Sequence, residues 1–285
     1  MKRLLSFLVV LASFYSVYPQ NKQAAQIKAK YRFTSLSRHV DGHDFEKTDD
    51  MILLASPVGS RFFSAKTEQY DSLMATPGGK KKYNELLSYA AKHAFVIENG
   101  GITFDSSKVD IPSNGVRFQV TKPDDAKELT VIDFVAQEYF KYQVPLDELT
   151  WTIEDSTKTV LGYKCQMATA DYHGRKWTAW FAPDIPVSSG PWQLMGLPGL
   201  IMDAQSEGGE YKFEIIGLEQ TNQPIKPRPG SYDYTKTTRK NFRRLQREIH
   251  KNPGKAFPDG SVRIINSEES MKARMAHDLI ETDYE

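Results

Sequence analysis

The sequence predicts an α+β or mainly β protein built on one strongly twisted antiparallel sheet, with a few helices packed on or beside it. Three observations predict this fold class. Short segments of alternating apolar and polar residues recur from residue 27 to about residue 220, turn residues separate them, and one stretch in that range has helical spacing instead. We expect eight or more strands, and a twisted sheet of that size can curl into a half-barrel.

The composition agrees with a globular domain and excludes several classes of protein. Of the 285 residues, 40% are hydrophobic and 26% are charged, and 37 basic residues nearly balance 36 acidic ones. Disordered and collagen-like chains have different compositions. The single cysteine, Cys165, excludes an intramolecular disulfide and a cysteine-based zinc site. We therefore expect a fold that rests on its hydrophobic core, and we assign it no metal and no cofactor.

The first residues have the pattern of an export signal. Lys2 and Arg3 precede an apolar run over residues 4–15, which is shorter than the about 20 residues that a membrane-spanning helix needs. We assign residues 1–19 to a signal peptide and expect the mature chain to begin near Gln20; an N-terminal anchor helix is the alternative. Export to the periplasm, the outer-membrane surface or the medium follows, and a lone cysteine suits such an oxidising compartment.

Residues 20–220 form the predicted β-rich domain. The alternation of Ala29, Tyr31, Phe33 and Ser35 predicts a first strand, and a hairpin follows around the turn at residues 57–59. Apolar residues three and four apart then predict an amphipathic helix that packs against the sheet. The predicted elements of this first half are strands over residues 27–36, 51–55 and 61–64, a helix over Lys80–Ala94, and strands over 116–120, 128–135 and 138–144.

The second half of this domain begins with the strongest hairpin signal in the chain, between Thr159 and Pro183. Tyr163, Cys165, Met167 and Thr169 alternate on one arm, and we expect them to lie on the buried face. Trp177, Ala179 and Phe181 alternate on the other arm. Residues 171–175 supply the turn, with a glycine where a positive φ is needed. A further strand is predicted over residues 211–217.

The composition changes after residue 220, so residues 221–285 are assigned to a basic strap and C-terminal helices. Residues 221–255 include ten basic residues and two acidic ones, so the formal net charge of this stretch is plus eight. A helix is predicted over residues 237–250, with Phe242, Leu245 and Ile249 on its docked side. We expect the basic side chains of this helix to point outward and to bind a partner or an anionic membrane surface: Arg239, Lys240, Arg243, Arg244 and Arg247.

A recognisable motif lies between the hairpin predicted over residues 159–183 and the strand predicted over residues 211–217. It contains Gly190-Pro191-Trp192 and the hexamer Gly196-Leu197-Pro198-Gly199-Leu200-Ile201, and the hairpin contributes a further block over residues 174–181. In these blocks the chain resembles the GLPGLI family of exported Bacteroidetes proteins. The resemblance implies export and a shared fold, without an established biochemical activity. Turn chemistry alone explains the motif as a structural crossover, and lining of a binding site is the alternative.

The first functional hypothesis is a non-catalytic protein of the bacterial envelope that binds a hydrophobic ligand or a protein partner. A curved sheet exposes a concave apolar face unless helices fill it, and that face is the expected site. The residues assigned to this ligand site are Trp177, Phe181, Trp192, Leu194, Leu197 and Leu200. We expect no nucleic-acid partner, because the basic helix has no array of stacking residues. The oligomeric state stays open.

Two further hypotheses belong to other classes of protein. A secreted hydrolase or metal-dependent enzyme would draw on His39, His43 and His173 with nearby carboxylates, and convergence of two of these histidines in one pocket would favour it. An envelope assembly or scaffold protein would act through the basic helix or an open sheet edge. Cys165 alternates with apolar residues, which predicts a buried, inert thiol.

Overall fold

The computed structural model describes residues 24–38, 44–98, 101–104, 110–226, 228–230, 232–257 and 279–283. The predicted signal peptide and the histidines at positions 39 and 43 lie outside these residues. The described strands are β1 (Ile27–Arg38), β2 (Asp44–Ala55), β3 (Ser60–Ser64), β4 (Phe95–Glu98), β5 (Gly101–Phe104), β6 (Gln119–Lys122), β7 (Glu128–Val135), β8 (Glu138–Pro145), β9 (Thr152–Val160), β10 (Tyr163–Tyr172), β11 (Arg175–Ala182), β12 (Leu200–Ser206), β13 (Tyr211–Gln220) and β14 (Tyr234–Lys236). The described helices are α1 (Ala65–Met74), α2 (Pro77–His93) and α3 (Arg239–Lys251).

The predicted fold class is confirmed, because twelve of the described strands form one twisted open sheet in the order β14-β8-β7-β6-β3-β2-β1-β13-β12-β11-β10-β9. Three runs of consecutive antiparallel strands account for most of this order, and β13 returns to pair with β1. The sheet is mixed, since β14 pairs with β8 in parallel. The edge strands of the described sheet are β9 and β14, and β4 and β5 form a separate hairpin.

One face of the large sheet carries nearly all of the core, and we call it the inner face. The predicted alternation on β1 is confirmed: Ala29, Tyr31 and Phe33 point to this face, and the residues between them are mostly exposed. Tyr31 donates a hydrogen bond to the carbonyl oxygen of Ile201 at 2.6 Å. Because core residues from ten strands form one cluster with Phe242 of α3, that helix and the segment over residues 183–199 complete the inner side of the sheet.

Several predicted elements of the first half are corrected. Residues 116–118 are not a strand, because the backbone N–H of Val116 donates to the Asp49 carboxylate at 2.6 Å and pairing with β7 begins only at Gln119. Helix α2 is present, and its main contacts are with α1 and with β4 of the separate two-stranded hairpin rather than with the large sheet; Ala90 is its buried residue. Helix α1 was not predicted, since its buried residues are Thr67 and Asp71 and no apolar period marks it.

The predicted long hairpin is confirmed as β10–β11, but not all the residues predicted to lie on the buried face of β10 do so. His173 and Gly174 both have positive φ, which is typical of a two-residue type I′ turn. Cys165 is buried as predicted, but Tyr163 is exposed and Met167 is only half-buried. Met167 leaves the buried face because of a register shift between Gln166 and Ala168, after which the even-numbered residues of β10 face the core. Tyr163 precedes this shift and directly follows the turn at residues 161 and 162.

The sheet continues past the composition change at residue 220. Strand β14 joins the sheet at β8, and α3 begins after Thr238, whose side chain accepts a hydrogen bond from the Asn241 backbone N–H at 3.3 Å. Phe242 stacks on Tyr142 with ring centroids 5.1 Å apart. The basic C-terminal part is therefore packed on the β-rich part, although its composition differs. None of the described helices combines the length and the apolarity that a bilayer crossing requires.

Candidate functional site

The six residues predicted to bind an apolar ligand lie in the core. Trp177, Phe181, Trp192, Leu194, Leu197 and Leu200 are each at most 2% exposed. The indole rings of Trp177 and Trp192 pack with their centroids 5.4 Å apart. The ligand-binding role of these residues stays a prediction, and a ligand that reaches them must first displace the segment over residues 183–199.

The segment over residues 183–199 forms the crossover from β11 to β12; it includes the first four residues of the hexamer, and the last two begin β12. The backbone N–H of Ile201 donates to the Ser189 carbonyl at 3.0 Å, and that of Leu200 donates to Ile185 at 3.1 Å. A Cβ atom on Gly199 would lie 2.2 Å from the carbonyl oxygen of Ala182, so the close approach of the two backbones requires glycine there. Packing and backbone geometry therefore explain this part of the motif as architecture.

A depression of about 490 Å³ opens onto the inner face, and we call it the inner depression. Its strand wall consists of Phe33, Ser35, Lys47, Asp133, Phe134 and Tyr211. Its other walls are the loop over residues 114–118, Gln246 of α3, and residues 279 and 280. The wall thus combines aromatic rings with a carboxyl group, two amides and two cationic side chains.

Asp133 is the titratable group in this wall with the clearest perturbation. Its side chain is 13% exposed, one carboxylate oxygen accepts a hydrogen bond from the Phe134 backbone N–H at 2.7 Å, and the other lies 4.0 Å from Arg243. Burial raises the pKa of Asp133 to about 6, although the Arg243 charge opposes the shift. Beside it, Oδ1 of Asn114 is buried without a hydrogen-bond partner in the described residues. A carboxyl group with a raised pKa in a depression is a candidate functional group.

The raised pKa predicts a specific pH dependence of stability. The folded protein binds the Asp133 proton more tightly than the unfolded chain, so this group destabilises the fold as the pH rises from about 4 to above 6. Asp133→Asn removes the effect. The unfolding free energy of Asp133→Asn minus that of the wild type should therefore increase by about 2 kcal/mol between pH 4.5 and pH 7.5. Urea unfolding of both proteins at pH 4.5, 5.5, 6.5 and 7.5 measures it.

Burial also lowers the pKa of His173, which acts in the opposite direction by destabilising the fold on acidification. Because His173 is present in both proteins, its contribution cancels in the difference. A difference that stays constant with pH would contradict the assignment to Asp133.

A buried ionic cluster adjoins the depression. It is centred on Glu281, which is 0% exposed and belongs to residues 279–283, here called the acidic segment. Its carboxylate accepts hydrogen bonds from Arg239 at 2.7 Å, from Gln193 at 2.9 Å, and from Arg243. Arg243 also donates to the Tyr142 hydroxyl at 2.6 Å. Although burial disfavours its charge, the pKa of Arg243 is raised, because Glu281 stabilises the cation.

The turn between β10 and β11 contributes the last members of the cluster. Nε2 of His173 lies 3.2 Å from Oε1 of Gln193, and Nδ1 lies 3.5 Å from the Asp283 carboxylate. His173, Glu281 and Asp283 bring three ligand-type atoms within 4.8 Å of one another. Both oxygens of Glu281 already accept hydrogen bonds from guanidinium or amide groups, so a cation would have to displace them. The arrangement is that of a salt-bridge cluster.

The predicted outward orientation of the basic helix is wrong for two of its five residues. Arg243 is buried, because it lies on the side of α3 that carries Phe242 and meets Glu281. Arg239 is half-buried and bonded to Glu281 and Asp283. Lys240, Arg244 and Arg247 are exposed as expected. The partner-binding role of this helix stays a prediction.

The remaining candidates have clear positions. The Cys165 thiol is buried, and burial raises its pKa, which agrees with the predicted inert thiol. His173 is buried among Tyr172, Trp192 and Gln193. Convergence of His39 and His43 with His173 falls outside the described residues and stays a prediction.

Sequence reasoning missed both Asp133 and Glu281. Asp133 stands at an inward-facing position of β7, between Val131 and Val135, and a charged residue in an apolar alternation is a signal that could have singled it out. Glu281 follows Leu279 and Ile280 near the C-terminus, and nothing in its local pattern indicates burial. Its partners lie 38 to 88 residues away along the chain.

Comparisons with known proteins give one short family match. Residues 173–203 match a family described as "Protein of unknown function (Porph_ging)", and the match points to a Bacteroidetes family. The matched stretch contains the hexamer and lies within the crossover and its flanking strands. No curated protein matches the chain.

Solved structures resemble the chain at low sequence identity. A structure of PNGF-II in the P21 space group has a TM-score of 0.49 and 13% identity, over 78% of this chain and 33% of that one. A C2 form has a TM-score of 0.45, also at 13% identity, over 76% and 32%. The chain therefore spans about a third of the length of these proteins.

Proposed function

We propose that the protein is an exported, non-catalytic binding protein of the bacterial envelope and that its ligand site is the inner depression. One observation carries the proposal: an opening onto the inner face brings together a largely buried carboxyl group of raised pKa, a buried amide oxygen with no partner among the described residues, and aromatic rings. Such convergence of polar groups in a concave, partly apolar wall is typical of small-molecule sites.

The sequence supports the exported and family parts of this proposal. The positive start and short apolar run of residues 1–15 favour export to the periplasm or the outer-membrane surface. We also propose membership of the GLPGLI family, which the hexamer over residues 196–201 supports. The short match to a family of unknown function includes this hexamer.

The wall of the depression favours a different ligand from the apolar one that the sequence predicts. Phe33 and Tyr211 offer ring surface, whereas Asp133 and Asn114 offer hydrogen-bonding groups, and Lys47 and Arg117 add positive charge. Stacking on rings and charge-assisted hydrogen bonds together select a small polar molecule with one apolar face. An acidic group on the ligand would be favoured by the two cations.

Native mass spectrometry of the chain from Gln20 onward, exported and purified without detergent, tests this function. We expect a bound small molecule at one copy per chain. Replacing Asp133 by alanine should weaken its retention by about ten- to a hundredfold, which corresponds to the about 1.5–3 kcal/mol of a hydrogen bond to a charged group.

The matched control is Asp147→Ala, because Asp147 is exposed and lines a different depression beside residues 123–130. It should retain the molecule as the wild type does. Equal losses in both variants, or a protein of bare apo mass throughout, would overturn the proposed site.

A further inference from the structure

The groups that surround Glu281 are held in place by elements other than the acidic segment. Arg239 and Arg243 lie on α3, which is anchored in the core by Phe242. Gln193 is 1% exposed and lies in the segment over residues 183–199, whose neighbours Trp192 and Leu194 are core residues. The receiving groups are thus part of the packed domain, and they form a preorganised set of donors.

The acidic segment, in contrast, is held mainly by polar contacts. Arg175 donates to the carbonyl oxygens of Leu279 at 2.8 Å and Ile280 at 3.1 Å, and the backbone N–H of Thr282 donates to the His173 carbonyl at 3.0 Å. Glu281 and Asp283 supply the charges. Main-chain hydrogen bonds plus alternate side chains are how proteins bind extended peptides.

The receiving site also has hydrogen-bonding capacity that Glu281 does not satisfy. Nε of Arg243 is buried and has no hydrogen-bond partner in the described residues. Asp133 approaches the same guanidinium only to 4.0 Å. Without Glu281, two guanidinium groups would stand close together with little solvent around Arg243, so the site requires an anion.

We propose that Arg239, Arg243 and Gln193 form a carboxylate-binding site that the acidic segment fills in cis, and that an acidic segment of a partner protein can take its place. The partner segment is extended and carries two carboxylates at positions i and i+2. In an extended chain such residues point to the same side, as Glu281 and Asp283 do towards Arg239. The site adjoins the inner depression, because residues 279 and 280 line that depression, but the three groups that bind the carboxylates are not among its lining residues.

A peptide with the sequence of residues 279–285 serves as the probe, and its Glu281→Gln form is the matched control. The receiving proteins are the full chain and its Glu281→Gln variant, in which the segment in cis is weakened. Isothermal titration calorimetry should show that the variant binds the Glu peptide at least tenfold more tightly than it binds the Gln peptide. The wild type should bind the Glu peptide at least tenfold more weakly than the variant does, because its own segment competes at high effective concentration.

Binding should also weaken as salt is raised from 50 to 500 mM, since the contacts are ionic. Equal affinity for both peptides, or equal binding by the wild type and the variant, would overturn the proposal. A folded variant that binds neither peptide at 1 mM would overturn the proposal as well. The cluster would then only hold the acidic segment on the domain. The titration uses protein freed of the small molecule, because residues 279 and 280 also line the inner depression, and its outcome is then distinguishable from that of the ligand experiment.

Discussion

Replacing Arg243 by alanine should lower the free energy of unfolding by about 3–5 kcal/mol. The change removes one partner of a buried ion pair, and of the hydrogen-bond donors to the fully buried Glu281 in the described part of the chain it leaves Arg239 and Gln193. It also removes the donor to the Tyr142 hydroxyl. Urea unfolding at pH 7, followed by tryptophan fluorescence, measures the effect.

Arg244→Ala is the matched control, because Arg244 is the next residue of α3 and is exposed, with a hydrogen bond to Asn241. It should change the free energy of unfolding by no more than about 0.5 kcal/mol. Similar effects of the two substitutions would show that the cluster around Glu281 does not stabilise the fold.

Leu197→Ala should lower the free energy of unfolding by about 2–5 kcal/mol. Leu197 belongs to the hexamer and is 1% exposed in the main core cluster, so the smaller side chain leaves a cavity that the crossover cannot close. Thermal and urea unfolding of the purified variant measure this loss.

The control for Leu197 is Leu87→Ala on α2, where the leucine is 42% exposed. Its effect should stay within about 0.5 kcal/mol, since little apolar surface is lost and alanine favours the helix. A Leu197→Ala variant as stable as the wild type would contradict the structural role of the hexamer and would favour its role as a binding surface.

Much of the fold is predictable from the sequence because the strands have one buried face. The alternations at Ala29–Phe33 and at Trp177–Phe181 identify the inner face correctly, and the apolar side of α3 identifies Phe242 as its docked residue. These patterns are local, and burial of apolar side chains dominates them. The pairing of β13 with β1, which joins two distant runs of strands, has no such local signal.

The features that sequence patterns miss depend on tertiary contacts. The register shift in β10 moves Met167 off the buried face, although its spacing from Cys165 predicts burial. In the sequence, Arg243 resembles the exposed basic residues around it. Its burial is compensated by the ion pair with Glu281, which lies 38 residues further along the chain and has no local sequence signal. The inner depression is assembled from four strands, a loop, a helix and the acidic segment, so Asp133 has no neighbours in sequence that indicate a site.

Hydrogen–deuterium exchange of the chain from Gln20 onward, compared before and after solvent extraction of its bound molecule, tests most directly that the inner depression is the ligand site. We predict that bound ligand protects the loop over residues 114–118 and β7 around Asp133, and leaves exchange over residues 185–201 unchanged. Protection centred on residues 185–201, with no change around Asp133, would contradict the assignment of the ligand site to the inner depression. It would place the ligand at the segment that contains the hexamer.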